Sequence, residues 1–322
     1  MEVKERFSLI LFVALFLAAP AWGQGLIFAM AGKSVDDFNF VTAWQGCQQE
    51  AEKHGDSCIH VGPSGPSHFR AQDEAITAAL LSTPLNGLAV SVTNAEWLST
   101  HSLNYAKQQA IPVITFDSDL SSQFRHLRHG YIGADNNAIG RRLASLAREL
   151  RPQGGRICLM SAVPHDENLS ARVDAVRDAL SDQALPVGKR LEGPVWLESS
   201  RCPLYNWDNE ERALSQLHAA LKEQQTDIFI SVGAWPVIDA IKFRQTIQAS
   251  PPPQKHTHSP AILIAIGAPI AAQKELLDDE YVDAFVSIDF FEIGVRSYQH
   301  MKALHDGAPI PSETYTEVKV LK

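Results

Sequence analysis

From Gly25 onward, short unbroken apolar runs alternate with longer stretches in which apolar residues recur every three or four positions. The runs 26–30, 58–61, 87–91 and 113–116 read as strands; 37–54, 71–81 and 97–109 read as helices, the last with Asn94 as its cap. A short segment at 131–133 precedes a helix at 136–150, and the rhythm then starts again. Strands are expected at 156–160, 189–192, 227–231 and 262–266, with helices at 168–180, 209–223 and 236–248. The chain closes with a helix at 271–278, a strand at 284–287, a helix at 291–304 and an extended piece at 317–321. Two stretches interrupt the pattern: 194–207, which reads as a surface insertion, and the Pro-rich run 249–260.

Strands alternating with helices imply βαβ units and parallel sheets. Two such series predict an α/β protein of two doubly wound parallel-sheet lobes. In these sheets ligands bind outside the carboxyl ends of the strands. The stretch "IPVITFDSDL" fits that rule: a strand apolar enough to be buried on both faces runs into Asp117, Ser118 and Asp119. Carboxylates there can stay hydrated and accept hydrogen bonds from a ligand, whereas within the sheet each would cost several kcal/mol unless paired.

Composition narrows the classes. The 322 residues are 45% hydrophobic and 20% charged, with a net charge of −9 and no dense Lys/Arg cluster, which disfavours nucleic acid as a partner. The apolar run from Leu9 to Ala19 is too short to cross a bilayer core of about 30 Å. With Ala21-Trp22-Gly23 after it, residues 1–23 read as a secretory signal peptide cut before Gln24. Export is expected, and it permits disulfides. Cys47 and Cys58 could meet where helix packs on sheet, and Cys158 and Cys202 could pair in the second half; buried free thiols are the alternative for each pair.

Enzyme signatures are missing. There is no GxGxxG or GxxxxGK[ST], and "GPSGPSHF" lacks the spacing of a nucleophile elbow, so it reads as a strand-end loop. Asp117-Ser118-Asp119 has the form of a DxD metal clamp without a third acidic ligand nearby, and His256 and His258 read as solvated loop residues. Neither a metal nor a cofactor is expected.

"IPVITFDSDL" followed by "YIGADNNAIGRRLA" resembles the type I periplasmic binding proteins, the ribose- and galactose-binding class of ABC transporter receptors. "FNFVTAWQGCQQEAEKHG" resembles that family's first helix, "NLSARVDAVRDAL" its Arg-bearing helix, and "LLDDEYVDAFVSIDFFEIG" its late strand-and-hinge segment. The resemblance covers nearly all of the chain after the signal segment. It implies two lobes joined by three hinge crossovers with a ligand cleft between them: 24–132 plus 289–312, and 133–288 plus 313–322. It also implies ligand contacts from Phe40, flanked by Asp37 and Asn39, and from Asp117, Ser118 and Arg172. Asp166 and Asn168, in the loop before the Arg helix, are further candidates. Where family members often carry Asn, Asp and Gln, this chain has "SVGAWP", "AIGAPI" and "SIDFFEIG"; Trp235 and Asp289 are the substitutes there.

The resemblance implies a monomeric solute-binding protein, not an enzyme, that closes on a small polar ligand, a carbohydrate or derivative, and delivers it to an ABC permease. The alternative is a receptor that presents its closed form to a membrane sensor kinase or chemoreceptor. A repressor of the same fold would carry a helix-turn-helix where the apolar leader stands, and a secreted hydrolase would need a catalytic signature that the sequence does not display.

Overall fold

The computed structural model describes residues 25–164, 166–181, 184–222, 226–249 and 260–322. The leader at 1–23, His165, and His256 and His258 of the Pro-rich run lie outside these described residues. The chain enters through β1 (Ile27–Ala31), α1 (Phe38–Glu52), β2 (Ser57–Val61), α2 (Phe69–Ser82), β3 (Gly87–Val90), α3 (Ala95–Thr100), α4 (Ser102–Gln108), β4 (Val113–Phe116) and β5 (Tyr131–Ala134). It continues through α5 (Asn136–Leu150), β6 (Gly155–Ser161), α6 (Glu167–Leu180), β7 (Trp196–Glu198), β8 (Leu204–Tyr205), α7 (Glu210–Lys222), β9 (Ile228–Ser231) and α8 (Ala240–Ala249). It ends with β10 (Ala261–Ile266), α9 (Ala271–Asp278), β11 (Ala284–Ile288), α10 (Phe290–His305), β12 (Glu313–Thr316) and β13 (Val318–Leu321).

These strands form two sheets, in the orders β12-β5-β4-β3-β1-β2 and β13-β11-β10-β9-β6-β7, with β8 beside the end of β6. Every pairing is parallel except β13 on β11. The central strands β3, β4, β9 and β10 are buried along their whole length, as expected for parallel sheets covered on both faces. In the first sheet the order reverses between β1 and β3, and in the second between β6 and β9. Those are the two points at which a doubly wound sheet opens a crevice beyond its strand ends.

The lobes exchange chain three times. β5 belongs to the first sheet and α5 packs on the second; β11 belongs to the second and α10 packs on the first. β12 pairs with β5 and β13 with β11, so the last change of sheet falls at Glu317. The first falls after Ala134, at the end of β5, close to the expected 133; the last lies beyond the expected 312, because "SETYTEVKV" runs extended through both sheets with no Gly or Pro to mark the crossing.

Three sequence expectations need correction. Residues 189–192 do not form a strand. The strand is β7, inside the stretch expected to be a surface insertion, and Trp196 and Glu198 on it are only 2% and 3% exposed. The expected helix 97–109 is two helices separated at His101, whose φ of −119° and ψ of −104° break the turn. The helix expected from residue 236 starts at Ala240, after a single tight turn at Trp235–Val237. Both cysteine pairings are closed: Cys47–Cys58 ties α1 to β2, and Cys158–Cys202 ties β6 to the loop before β8.

Candidate ligand-binding cleft

The carboxyl edges of the two sheets face each other, and Asp117 stands at the centre. β4 ends at Phe116, and Asp117 takes a positive φ of 57° while the Ser118 N–H bonds back to the Phe116 carbonyl at 2.6 Å. The Asp117 N–H still donates to the Ile132 carbonyl of β5 at 3.0 Å, so the reversal begins at its carbonyl, immediately beyond the strand end. One carboxylate oxygen, Oδ2, accepts from Ser91 Oγ (2.9 Å) and Ser118 Oγ (3.4 Å), with Lys33 Nζ at 4.0 Å. Lys33 leaves the end of β1 and Ser91 the end of β3, so the group assembles at the switch point of the first sheet. Buried Gln72 fixes both loops by donating to the carbonyls of Gly32 (3.0 Å) and Ser91 (2.7 Å).

Asp37 caps α1, accepting from the Asn39 N–H at 2.8 Å. It is open to solvent yet crowded by the walls of the cleft. Loss of hydration pushes its carboxyl above the ordinary range; the Asn39 N–H opposes this, and the like charge of Asp117 adds to it. The second lobe answers with α6, whose first turn is capped by Asp166 through the Leu169 N–H at 2.9 Å. Arg172, 8% exposed, is oriented by donating Nε to Asn136 Oδ1 (2.8 Å) and Nη1 to the Val232 carbonyl (2.9 Å) at the switch point of the second sheet. Burial lowers its pKa, and the negative charges of Asp117 and Asp166 work against that. Gly140 permits this placement, since a Cβ there would lie 2.3 Å from the Arg172 carbonyl oxygen. The lobes touch directly: Asn168 Nδ2 donates to the Asp117 carbonyl (2.7 Å) and to Ser118 Oγ (3.1 Å). A side chain on Gly267 would begin 2.1 Å from Asn39 Oδ1.

Of the residues singled out from sequence, Asp37, Asn39, Asp117, Ser118, Asp166, Asn168 and Arg172 therefore come together. The others take different places. Phe40 is 6% exposed, its ring set edgewise against Phe116 at 6.1 Å and Phe290 at 6.4 Å. The face expected to stack on a ligand is covered, and the ring packs beneath the cleft. Half-buried Trp235 lies over Gly233 and donates Nε1 to Asp208 at 2.9 Å, so it braces the neighbouring turn. Asp289 caps α10 through the Glu292 N–H (3.0 Å) and meets Lys319 at 3.4 Å; no contact among the described residues joins it to the Asp117 group. Asp119 is held by Arg128 at 2.7 Å through both oxygens, which makes it part of the frame.

Sequence reasoning passed over Lys33, Ser91, Gln72, Asn136 and Trp207. Trp207 follows β8 at a φ of 59°, with its N–H on the Ala162 carbonyl and 58% of its surface exposed on the same edge. An isolated Trp in the polar run "YNWDNEE" was the available signal. The assembled cleft offers charges of both signs, hydroxyls and one open indole. The hydroxyls of Ser91 and Ser118 point at Asp117, and no histidine bonds to either among the described residues. That arrangement can grip a polar molecule through its charges, hydroxyls and one aromatic face.

Family comparison agrees with this geometry. The family model described as a periplasmic binding protein domain matches residues 28–309. The chain belongs to the periplasmic binding protein family. Solved structures share the fold at low identity. A glucose–galactose binding protein from Geobacillus stearothermophilus aligns with a TM-score of 0.72 at 18% identity, over 93% of this chain and 98% of its own. An ABC transporter solute-binding protein from Agrobacterium vitis with bound D-fucose gives 0.75 at 16%, over 92% and 94%. One from Burkholderia graminis in complex with D-arabinose gives 0.73 at 18%, over 93% and 96%. A search of curated protein sequences returned no match.

Proposed function

We propose that this periplasmic binding protein is exported by cleavage of its leader before Gln24, captures a small polyhydroxylated ligand between its lobes, and hands the closed form to an ABC permease without carrying out chemistry. The observation that carries this reading is the meeting of the lobes at Asp117, whose carbonyl accepts from Asn168 of the second lobe at 2.7 Å, with Arg172 one turn further along the same helix. A ligand bridging them contacts both lobes and so supplies the differential affinity that closure requires. Asp117 Oδ1 has no hydrogen-bond partner among the described residues and can accept from ligand hydroxyls. Arg172, with Nε and Nη1 held by Asn136 and the Val232 carbonyl, keeps Nη2 to donate, and Trp207 offers a ring face to the apolar side of a sugar. Lys33, Asp37, Asn39 and Asp166 complete the polar lining. The sugars named with the fucose and arabinose complexes support carbohydrate as the ligand class. The chain is expected to act as a monomer.

The test is a thermal-shift screen of the purified protein against glucose, galactose, fucose, arabinose, tagatose and common polyols. A ligand at 100 times its dissociation constant adds about 2.7 kcal/mol. Calorimetry on Asp117→Ala then follows, with affinity expected to fall at least tenfold, since a charge-assisted hydrogen bond is worth roughly 1.5–3 kcal/mol. No shift with any carbohydrate would overturn the ligand class, and undiminished affinity in a folded Asp117→Ala would remove Asp117 from the site.

A further inference from the structure

We propose that Asn168 is a latch between the lobes and does not read the ligand. The inference rests on the solute-binding reading above and assigns this residue a different task within it. A side-chain amide nitrogen carries two hydrogens. Both are spent on the opposite lobe, one on the Asp117 carbonyl at 2.7 Å and one on Ser118 Oγ at 3.1 Å. No amide hydrogen remains to donate to a ligand, which leaves Oδ1 alone, as an acceptor. The position of Asn168 in the first turn of α6 directs it across the gap.

The acceptor is shaped to receive it. Because Asp117 sits at a φ of 57°, its carbonyl leaves the strand ladder and is free to accept twice. It does so from Asn168 in the second lobe and from Tyr131 OH, at 2.9 Å, on the crossover strand β5. The second latch bond continues into the ligand site. Ser118 Oγ accepts from Asn168 and donates to Asp117 Oδ2 at 3.4 Å, so closing the latch holds the carboxylate that faces the ligand. Closure and grip therefore act on one residue. The latch itself uses main chain and a serine, neither of which changes with the ligand, so it strengthens every complex by the same factor.

The experiment uses the full mature chain and two variants, Asn168→Ala and Ser118→Ala. Small-angle scattering of the ligand-free proteins measures opening, and calorimetry against each sugar that binds the native protein measures affinity. Asn168→Ala is expected to enlarge the radius of gyration of the free protein and to weaken all ligands by a common factor of roughly tenfold, with their order of preference unchanged. Ser118→Ala removes one of the two bonds together with the Ser118 contact to Asp117 Oδ2, so its scattering alone reports on the latch and should shift the same way by less; that reading also serves if Asn168→Ala does not fold. Losses that differ between ligands, or scattering identical to that of the native protein, would overturn the latch. If no sugar binds the native protein, the functional reading fails while the scattering comparison still decides the latch.

Discussion

Arg177 and Glu198 form an ion pair beneath the site helix. Arg177 Nε and Nη2 each lie 2.9 Å from a different oxygen of Glu198, and the two side chains are 6% and 0% exposed. Burial works against the guanidinium charge, but the hydrogen bonds and charge of Glu198, with Asp174 at 3.3 Å, outweigh it and raise its pKa. The pair joins α6, which carries Asn168 and Arg172, to β7 at the edge of the second sheet. Arg177→Ala would leave Glu198 with the Leu191 N–H at 3.3 Å and Arg190 at 3.9 Å, too little to hydrate a carboxylate with no exposed surface. Breaking one side of a buried pair costs roughly 3–5 kcal/mol, because the remaining charge is uncompensated. Replacing both partners with apolar residues, Arg177→Met with Glu198→Leu, removes the desolvation penalty along with the attraction and should cost far less than either single change. Urea unfolding followed by circular dichroism gives the three free energies of the cycle, and at about 2–4 °C per kcal/mol the single change should lower Tm by ~10 °C. An Arg177→Ala loss below about 1 kcal/mol, the range of a surface pair, or a double variant as weak as the singles, would refute the reasoning.

Two further expectations concern pH. Asp37 holds its proton longer in the native protein than in the unfolded chain, so its contribution to stability is complete below about pH 4 and is lost as pH rises through its elevated native pKa. Asp37→Asn keeps the cap and removes the charge; it should melt higher than the native protein near neutrality and lose that advantage at acid pH, and an equal gain at both would rule out an electrostatic origin. His60 is the opposite case: burial lowers its pKa, its Nε2 is buried without a partner, and it stacks on Trp44 at 5.3 Å. Its contribution is present above the unfolded value of about 6.5 and is lost as pH falls through the lower native value. His60→Phe preserves the stack and should lose less stability than the native protein between about pH 7 and pH 5; parallel pH profiles would show that His60 is not the titrating group.

The architecture was legible because parallel strands buried on both faces leave uninterrupted apolar runs. Val113–Phe116, Asn136–Leu150 and Ala271–Asp278 fall where periodicity alone puts them. β7 was hidden by its own chemistry: an inward Glu198 breaks the apolar pattern, and only the distant Arg177 makes that position tolerable. Asp117 could be located because it ends such a run. Lys33, Ser91 and Trp207 could not, since each is one residue in a polar loop until the strand order brings three loops to one edge. Phe40 shows the converse limit. An aromatic at a helix start serves equally as a ligand platform or as packing, and the choice depends on Phe116 and Phe290, which are remote in sequence.

The two carboxylates after β4 divide their work, and the division explains why the strained turn can exist. A non-glycine residue at positive φ costs on the order of 1–3 kcal/mol and persists only where its surroundings over-determine it. Here Asp119 supplies that constraint. It accepts from Thr115 Oγ1 at 2.5 Å and from Arg128 on both oxygens, and Arg128 Nη1 reaches the Ser312 carbonyl at 2.8 Å, just before β12. With β4 and the start of β12 pinned together on one side and Tyr131 holding the Asp117 carbonyl on the other, the chain is constrained to turn sharply at residue 117. Glycine would relieve that turn and remove the only side chain there that can meet Arg172 across the cleft. On the proposed ligand-binding reading, the turn is kept because it sets that carboxylate beyond the strand end.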